Sequence, residues 1–161
     1  LRSVPCEDDV ELGPLSEEVL TDLAPLAENK GIALNCAGDA LVIGSDTLLY
    51  RLVFNLVENA IRYSRPGSTV NVSICDNNSR VFLRVEDQGP GIPKQYRESI
   101  FQPFFRLDKS RSRAYGGAGL GLALVWEIAA LHGGAVEVEA SSENGTTMLA
   151  SLPKRSAALT E

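Results

Sequence analysis

The stretch 46–64 confines the fold more than any other part of the chain. Leu49, Leu52, Val53, Leu56 and Ala60 recur at helical spacing and form one apolar stripe, so a helix here must lie against a core. At about 100° per residue, Asn55, Asn59 and Arg62 fall within an arc of roughly 60° beside that stripe. One helix therefore packs with one face and presents two carboxamides and a guanidinium on the next. Asparagine is a poor interior helix former, because its side chain competes for backbone hydrogen bonds. Two of them one turn apart are open to two readings. They are capped or solvated amides, or they are ligands: a carboxamide oxygen is a neutral, hard donor for Mg²⁺, and a nearby cation suits phosphate. Ser45 or Asp46 caps the helix start, and Pro66 and Gly67 follow its end.

The segments around this helix alternate in type. Residues 69–75 and 80–86 alternate apolar with polar and are joined by 76–79, a hairpin pattern. Val81, Leu83 and Val85 share the face expected to pack on the central helix. Before it, residues 32–36 and 41–43 read as short strands either side of Gly38 and Asp39. Ser16 is expected to cap an earlier helix, with Glu17 and Glu18 in its first turn and Gly31 at its end. Pro25 lies inside that pattern and predicts a kink or an early stop. Val10 and Leu12 read as a short edge strand. After the centre come a helix with the stripe Leu122, Val125, Ile128 and Ala129, then Gly133 and Gly134, then a hairpin of 135–140 and 146–152. The expected architecture is an α/β sandwich of one sheet and one helical layer.

Bulk properties narrow the function classes. With 161 residues, 44% apolar and 22% charged, the chain is one globular domain of ordinary size. Its net charge of −6 argues against nucleic acid or an anionic membrane surface as the main partner. No apolar run approaches the roughly 20 residues that cross a bilayer. Cys6, Cys36 and Cys75 are odd in number and widely spaced beside one histidine, so neither a disulfide framework nor a zinc site is expected, and a reducing compartment fits. Residues 1–9 are read as a linker or an artificial chain end, and 154–161 as a frayed tail.

Two glycine patterns carry possible chemistry. Asp87-x-Gly89-x-Gly91 leaves a strand end and places an acceptor-only carboxylate beside residues that let another group approach the backbone. It is an ordinary turn or a site. As a site, the carboxylate would accept from an exocyclic amine such as adenine N6, whereas guanine would present an oxygen there. GGAGLG at 116–121 opens a helix, where exposed N–H groups and the positive helix end make a phosphate cradle. The spacing is not the dinucleotide fingerprint, and GxxxxGK[ST] is absent. Between them, 100–105 is an aromatic cluster, and 106–118 holds Arg106, Lys109, Arg111 and Arg113 against Asp108. That basic loop is a lid over phosphates or a solvated loop.

Taken together, NLVENAIRYS, VEDQGPGIP, IFQPFFRLDKSRSR and GGAGLGLALV resemble, in order and spacing, the four boxes of bacterial sensor histidine kinases, members of the GHKL ATP-binding fold. The resemblance spans essentially residues 10–153. It implies an α+β domain: a mixed, largely antiparallel sheet of about five strands covered on one face by three helices, with an ATP lid at 106–118. By match, Asn59 would ligate Mg²⁺, and Asn55 would face the phosphates and metal beside it. Arg62 would contact phosphate, Tyr63 would stack near the adenine, and Asp87 would read it. Gly89, Gly91, Gly117, Gly119 and Gly121 match the family glycines, with Ile92, Leu120 and Leu122 as their apolar neighbours at the nucleotide. Lys109, Arg111 and Arg113 would reach the γ-phosphate, and the implied catalytic set is Asn55, Asn59 and Arg113. The phenylalanines would anchor the lid and serve the core.

In the gyrase, mismatch-repair and chaperone branches, the residue one turn before the magnesium asparagine is a glutamate that activates water. Here it is Asn55, whose amide cannot take a proton at neutral pH. Glu58 projects away from the apolar stripe and is expected to be solvated. Water attack on ATP should therefore be slow, keeping the γ-phosphoryl for a histidine on a separate dimerisation domain. The only histidine, His132, sits at a helix C-terminus where an imidazolium caps favourably; it is read as a capping or packing residue and not as the acceptor. The resemblance thus implies the Mg·ATP-binding catalytic domain of a membrane-anchored sensor. That domain would be cytoplasmic, monomeric by itself, and would serve a response regulator indirectly. A hydrolytic GHKL ATPase and a degenerate nucleotide-binding module are the alternatives.

Overall fold

The computed structural model describes residues 8–105 and 121–154. In chain order these form β1 (Asp8–Glu11), α1 (Leu12–Lys30), β2 (Ala33–Gly38), β3 (Leu41–Gly44), α2 (Asp46–Tyr63), β4 (Thr69–Asp76) and β5 (Arg80–Asp87). Two short 3₁₀ turns, Lys94–Tyr96 and Ser99–Phe101, precede α3 (Gly121–Leu131), β6 (Ala135–Ser142) and β7 (Gly145–Pro153). The main sheet has the order β2-β4-β5-β7-β6. Only β2 and β4 run parallel; the other pairs are antiparallel. β1 and β3 form a separate antiparallel ribbon. The expected mixed, largely antiparallel five-stranded sheet is therefore present, with three α-helices among the described residues.

The core lies between the helices and one face of this sheet. On α2, Leu49, Leu52, Val53, Leu56, Val57, Ala60 and Ile61 are buried, while on β5 the alternation buries Val81, Leu83 and Val85. Each such side chain contributes about 1.5–3 kcal/mol when fully removed from water. The Ser45 hydroxyl accepts the Leu48 N–H at 3.2 Å, so serine, not Asp46, caps α2.

α1 departs from the expected start. It begins at Leu12, four residues before Ser16, and Leu12 belongs to the helix rather than to the preceding strand. The cap is not local. The Asp39 carboxylate accepts the Gly13 N–H at 2.6 Å across 26 residues of sequence, and the Leu12 N–H reaches the Ala40 carbonyl at 3.0 Å. Ser16 is buried inside the helix, its hydroxyl without a partner among the described residues. Pro25 also lies within the helix and does not end it. Gly31 does, in the left-handed conformation at φ 73°.

His132 joins α3 to the start of α2. Its Nδ1 lies 2.8 Å from the Ile128 carbonyl, and its Nε2 accepts the Ser45 N–H at 3.1 Å. Because Nε2 accepts, Nδ1 is the donor to the Ile128 carbonyl, so the buried ring both caps the end of α3 and packs against the start of α2, the role expected of it. The ring lies on Gly44, where an added Cβ would come within 2.3 Å of a ring carbon. Gly44→Ala should therefore cost about 1–3 kcal/mol, because the ring cannot retreat without breaking both hydrogen bonds. Chemical denaturation measures this, and an unchanged midpoint would show that the ring has room to move.

Candidate functional site

The centre of the candidate site is Asp87, the last residue of β5 and 7% exposed. Its Oδ1 accepts the Gly89 N–H at 2.9 Å and the Thr146 N–H at 3.2 Å. Oδ2 takes no hydrogen bond among the described residues. Burial pushes the carboxyl above its usual range; the two N–H donors oppose this, and the charge of Glu86 adds to the rise. One oxygen is thus held by the main chain, and the other has the chemistry to accept from a further donor.

The loop after β5 is wedged between main-chain groups. A Cβ on Gly89 would meet the Tyr63 carbonyl oxygen at 2.3 Å, and one on Gly91, at φ 88°, would meet that of Ser142 at 2.2 Å. Both positions therefore require glycine for close approach, and the groups that approach are carbonyls of α2 and β6. The Ile92 N–H donates to the Ser141 hydroxyl at 2.8 Å, which lies 2.8 Å from the Thr146 hydroxyl.

α2 brings its polar face to the same corner. Asn55 is buried, and its amide donates to the Gly121 carbonyl at 3.3 Å, tying α2 to the first residue of α3. Its Oδ1 remains as an acceptor. Asn59, one turn on, is half-buried with no hydrogen-bond partner among the described residues. Arg62 pairs with Glu58 at 3.3 Å, and both side chains stay partly exposed, so Glu58 is solvated as expected and also faces a cation. Tyr63 is exposed and its backbone carbonyl faces Gly89. The Asn59 carboxamide oxygen, without a partner among the described residues, is of the chemical type that would hold a hard cation such as Mg²⁺.

Of the other expected residues, Ile92 and Leu122 are half-buried against the core, and Gly121 faces open space. Lys109, Arg111, Arg113, Gly117, Gly119 and Leu120 lie outside the described residues. The aromatic cluster divides. Phe101 is buried and its ring centroid lies 5.5 Å from that of Trp126, whereas Phe104 is 69% exposed at φ 65° and is not core.

Sequence reasoning missed three supports. The Lys30 ammonium donates to the Ile61 carbonyl at 3.1 Å and to the Arg62 carbonyl, capping the last turn of α2. Thr146 faces Asp87 in the β5–β7 register. Arg65 and Arg97 both bond the loop after β5. Only the strand pairing, which has no local sequence signal, would have exposed Thr146.

The family model of histidine kinase-, DNA gyrase B- and HSP90-like ATPases matches residues 44–156, and the chain belongs to that family. The sensor-like histidine kinase SenX3 of Mycobacterium tuberculosis is 38% identical over 152 residues, covering 93% of this chain and 37% of its own length. The chain therefore spans little more than a third of that curated relative. Among solved structures, the mycobacterial sensor histidine kinase MprB is 31% identical with a TM-score of 0.79, over 92% of this chain and 98% of that one. Full-length ShkA in complex with AMPPNP is 26% identical with a TM-score of 0.82, over 98% of this chain and 33% of that one.

Asp87→Asn keeps an oxygen for the Gly89 and Thr146 N–H groups and turns the open acceptor into a donor. It should abolish adenine-nucleotide binding while leaving the fold intact, as titration calorimetry and melting curves would show. The sign of its stability effect follows from the raised pKa. The wild-type carboxylate carries its burial cost while ionised, so the variant should be equal or more stable at neutral pH. That advantage should vanish as pH falls through the raised value to the ordinary carboxylate range and the wild type takes up its proton. Unchanged nucleotide affinity would contradict the assignment of Asp87.

Proposed function

We propose that this chain is the ATP-binding catalytic domain of a sensor histidine kinase, taking up Mg·ATP and passing its γ-phosphoryl to a histidine on a separate helical dimerisation domain. The observation that carries this is Asp87: a buried carboxylate with one oxygen held by two main-chain N–H groups and the other open, beside the amide face of α2. Membership of the ATPase family and the likeness to a kinase solved with AMPPNP support the same reading.

The roles follow from chemistry. Asp87 accepts from the adenine amine, and Tyr63 flanks the base. Asn59 holds Mg²⁺, with Asn55 Oδ1 beside it; the ion, when bound, neutralises triphosphate charge. Arg62, Lys109, Arg111 and Arg113 are assigned to phosphate, and Gly117, Gly119 and Gly121 to the phosphate cradle. Catalysis of this kind rests on positioning and charge, with little covalent work for the protein.

The polar face of α2 lacks a free base for water. Asn55 cannot accept a proton, and the nearby Glu58 carboxylate is paired with Arg62. Both nitrogens of His132 are committed, so the acceptor histidine must come from elsewhere. None of the described helices is long and apolar enough to cross a membrane. Under this proposal the domain is cytoplasmic, where ATP is available, and reaches a response regulator only through the phosphorylated histidine.

Mixing the chain with Mg·ATP and a cognate histidine-bearing helical domain should yield acid-labile phosphate on that domain. Asn59→Ala should lower this transfer by about 10²-fold or more, the scale of losing one well-placed electrostatic group. Steady ATP hydrolysis by the chain alone, without transfer, would instead place it in the hydrolytic branch.

A further inference from the structure

We propose that Arg65 and Arg97 are a pair of positioning residues that staple the purine-reading loop to the β6–β7 hairpin and thereby set adenine affinity and selectivity. The inference rests on reading the loop after Asp87 as the purine site.

Each guanidinium donates to two main-chain carbonyls, one from that loop and one from the hairpin. Arg65 reaches the Gln88 carbonyl through Nη1 at 3.1 Å and the Glu143 carbonyl through Nη2 at 2.6 Å. Arg97 reaches the Ile92 carbonyl through Nε at 3.1 Å and the Ser141 carbonyl through Nη2 at 3.2 Å. The two staples thus close on opposite ends of the segment 88–92, with Gly89 and Gly91 between them. Among the described residues, neither arginine has a carboxylate within ion-pair distance; their donors are directed to the backbone.

The consequence falls on Asp87. Its Oδ1 is held by one N–H from the loop, Gly89, and one from the hairpin, Thr146. The carboxylate is therefore aimed only while loop and hairpin keep their relative position. β7 passes so close that a Cβ on Gly145 would lie 2.1 Å from the Asp87 carbonyl oxygen, so a shift of the hairpin is felt directly at Asp87. The planar guanidinium fork spans two carbonyls at once; a lysine ammonium, a compact charge on a flexible stem, does not reproduce that geometry.

The test uses the complete chain with Arg65→Gln, Arg97→Gln, the double variant, and the two lysine variants. Three quantities are read: Mg·ATP and Mg·GTP affinity by calorimetry, amide exchange at Gly89 and Ile92 without nucleotide, and the melting temperature. Each glutamine variant should weaken ATP binding about tenfold, the double variant about a hundredfold, with the preference for ATP over GTP shrinking in step. Exchange at Gly89 and Ile92 should rise while melting shifts by only a few degrees, and lysine should not restore the parent values. ATP affinity and loop exchange equal to the parent's in the double variant would overturn the staples, as would an affinity loss that merely tracks global unfolding. If the double variant does not fold, the single variants decide by the same readouts. A parent chain that takes up neither nucleotide would overturn the purine-site reading itself.

Discussion

The burial of one stripe of α2 against β5 is the constraint on which everything else depends. Leu49, Leu52, Val53, Leu56, Ala60 and Ile61 meet Val81, Leu83 and Val85 in a core with almost no exposed surface. Close-packed interiors resist rotation of a helix about its axis, because turning it would expose the stripe and open voids. Once the stripe is seated, the direction of Asn59 is settled, since its angle from Leu56 and Ala60 is helical geometry. The two ends of α2 are then pinned by polar contacts. Ser45 is held by His132 at one end, and the Lys30 ammonium holds the Ile61 and Arg62 carbonyls at the other. Desolvation lowers the Lys30 pKa, which fits an ammonium turned inward onto carbonyls rather than toward water.

Against this rigid helix the loop after β5 is shaped almost wholly by main-chain contacts. Carbonyls of Tyr63 and Ser142 press on Gly89 and Gly91. Main-chain N–H groups hold Asp87, and arginines bind main-chain carbonyls. At Tyr63, Gln88, Ser142 and Glu143, which enter these contacts through their carbonyls, a changed side chain is tolerated but a moved backbone is not. A buried carboxylate is costly unless satisfied, and here half of it is satisfied internally while the other half is left for a donor from outside. Under the proposed function, that second oxygen is the acceptor that recognises the adenine amine.

Periodicity made the helices and hairpins legible, because each buries one face and its spacing records that face. The α2 stripe, the β4–β5 hairpin and the stop at Gly31 all have local signals, and so does the emergence of Asp87, Gly89 and Gly91 from a strand end. What escaped depends on contacts between distant segments. The start of α1 is set by Asp39, not by Ser16, and Pro25 is carried by a helix whose packing outweighs one lost bond. Phe104 reads as core from composition, yet it is exposed, at a backbone conformation with positive φ that no sequence pattern announces. Glu58 and Arg62 are neighbours at helical spacing, and their pairing was legible in principle; the reading of Arg62 as a phosphate contact displaced it. Arg65 and Arg97 carry no motif at all, since a backbone staple needs only a guanidinium within reach.

The same helix face also bounds the chemistry. A domain that activates water needs a carboxylate free to take a proton beside the nucleotide, and α2 offers an amide tied to Gly121 and a carboxylate tied to Arg62. Freeing Glu58 would require giving its guanidinium another anion, which a bound triphosphate would supply. Even then Glu58 would not stand one turn before Asn59: it is the adjacent residue, displaced by about 100° around the helix. The face that points with Asn59 carries only groups that bind and neutralise charge. Under the proposed function, the nucleophile must then be brought in on another domain.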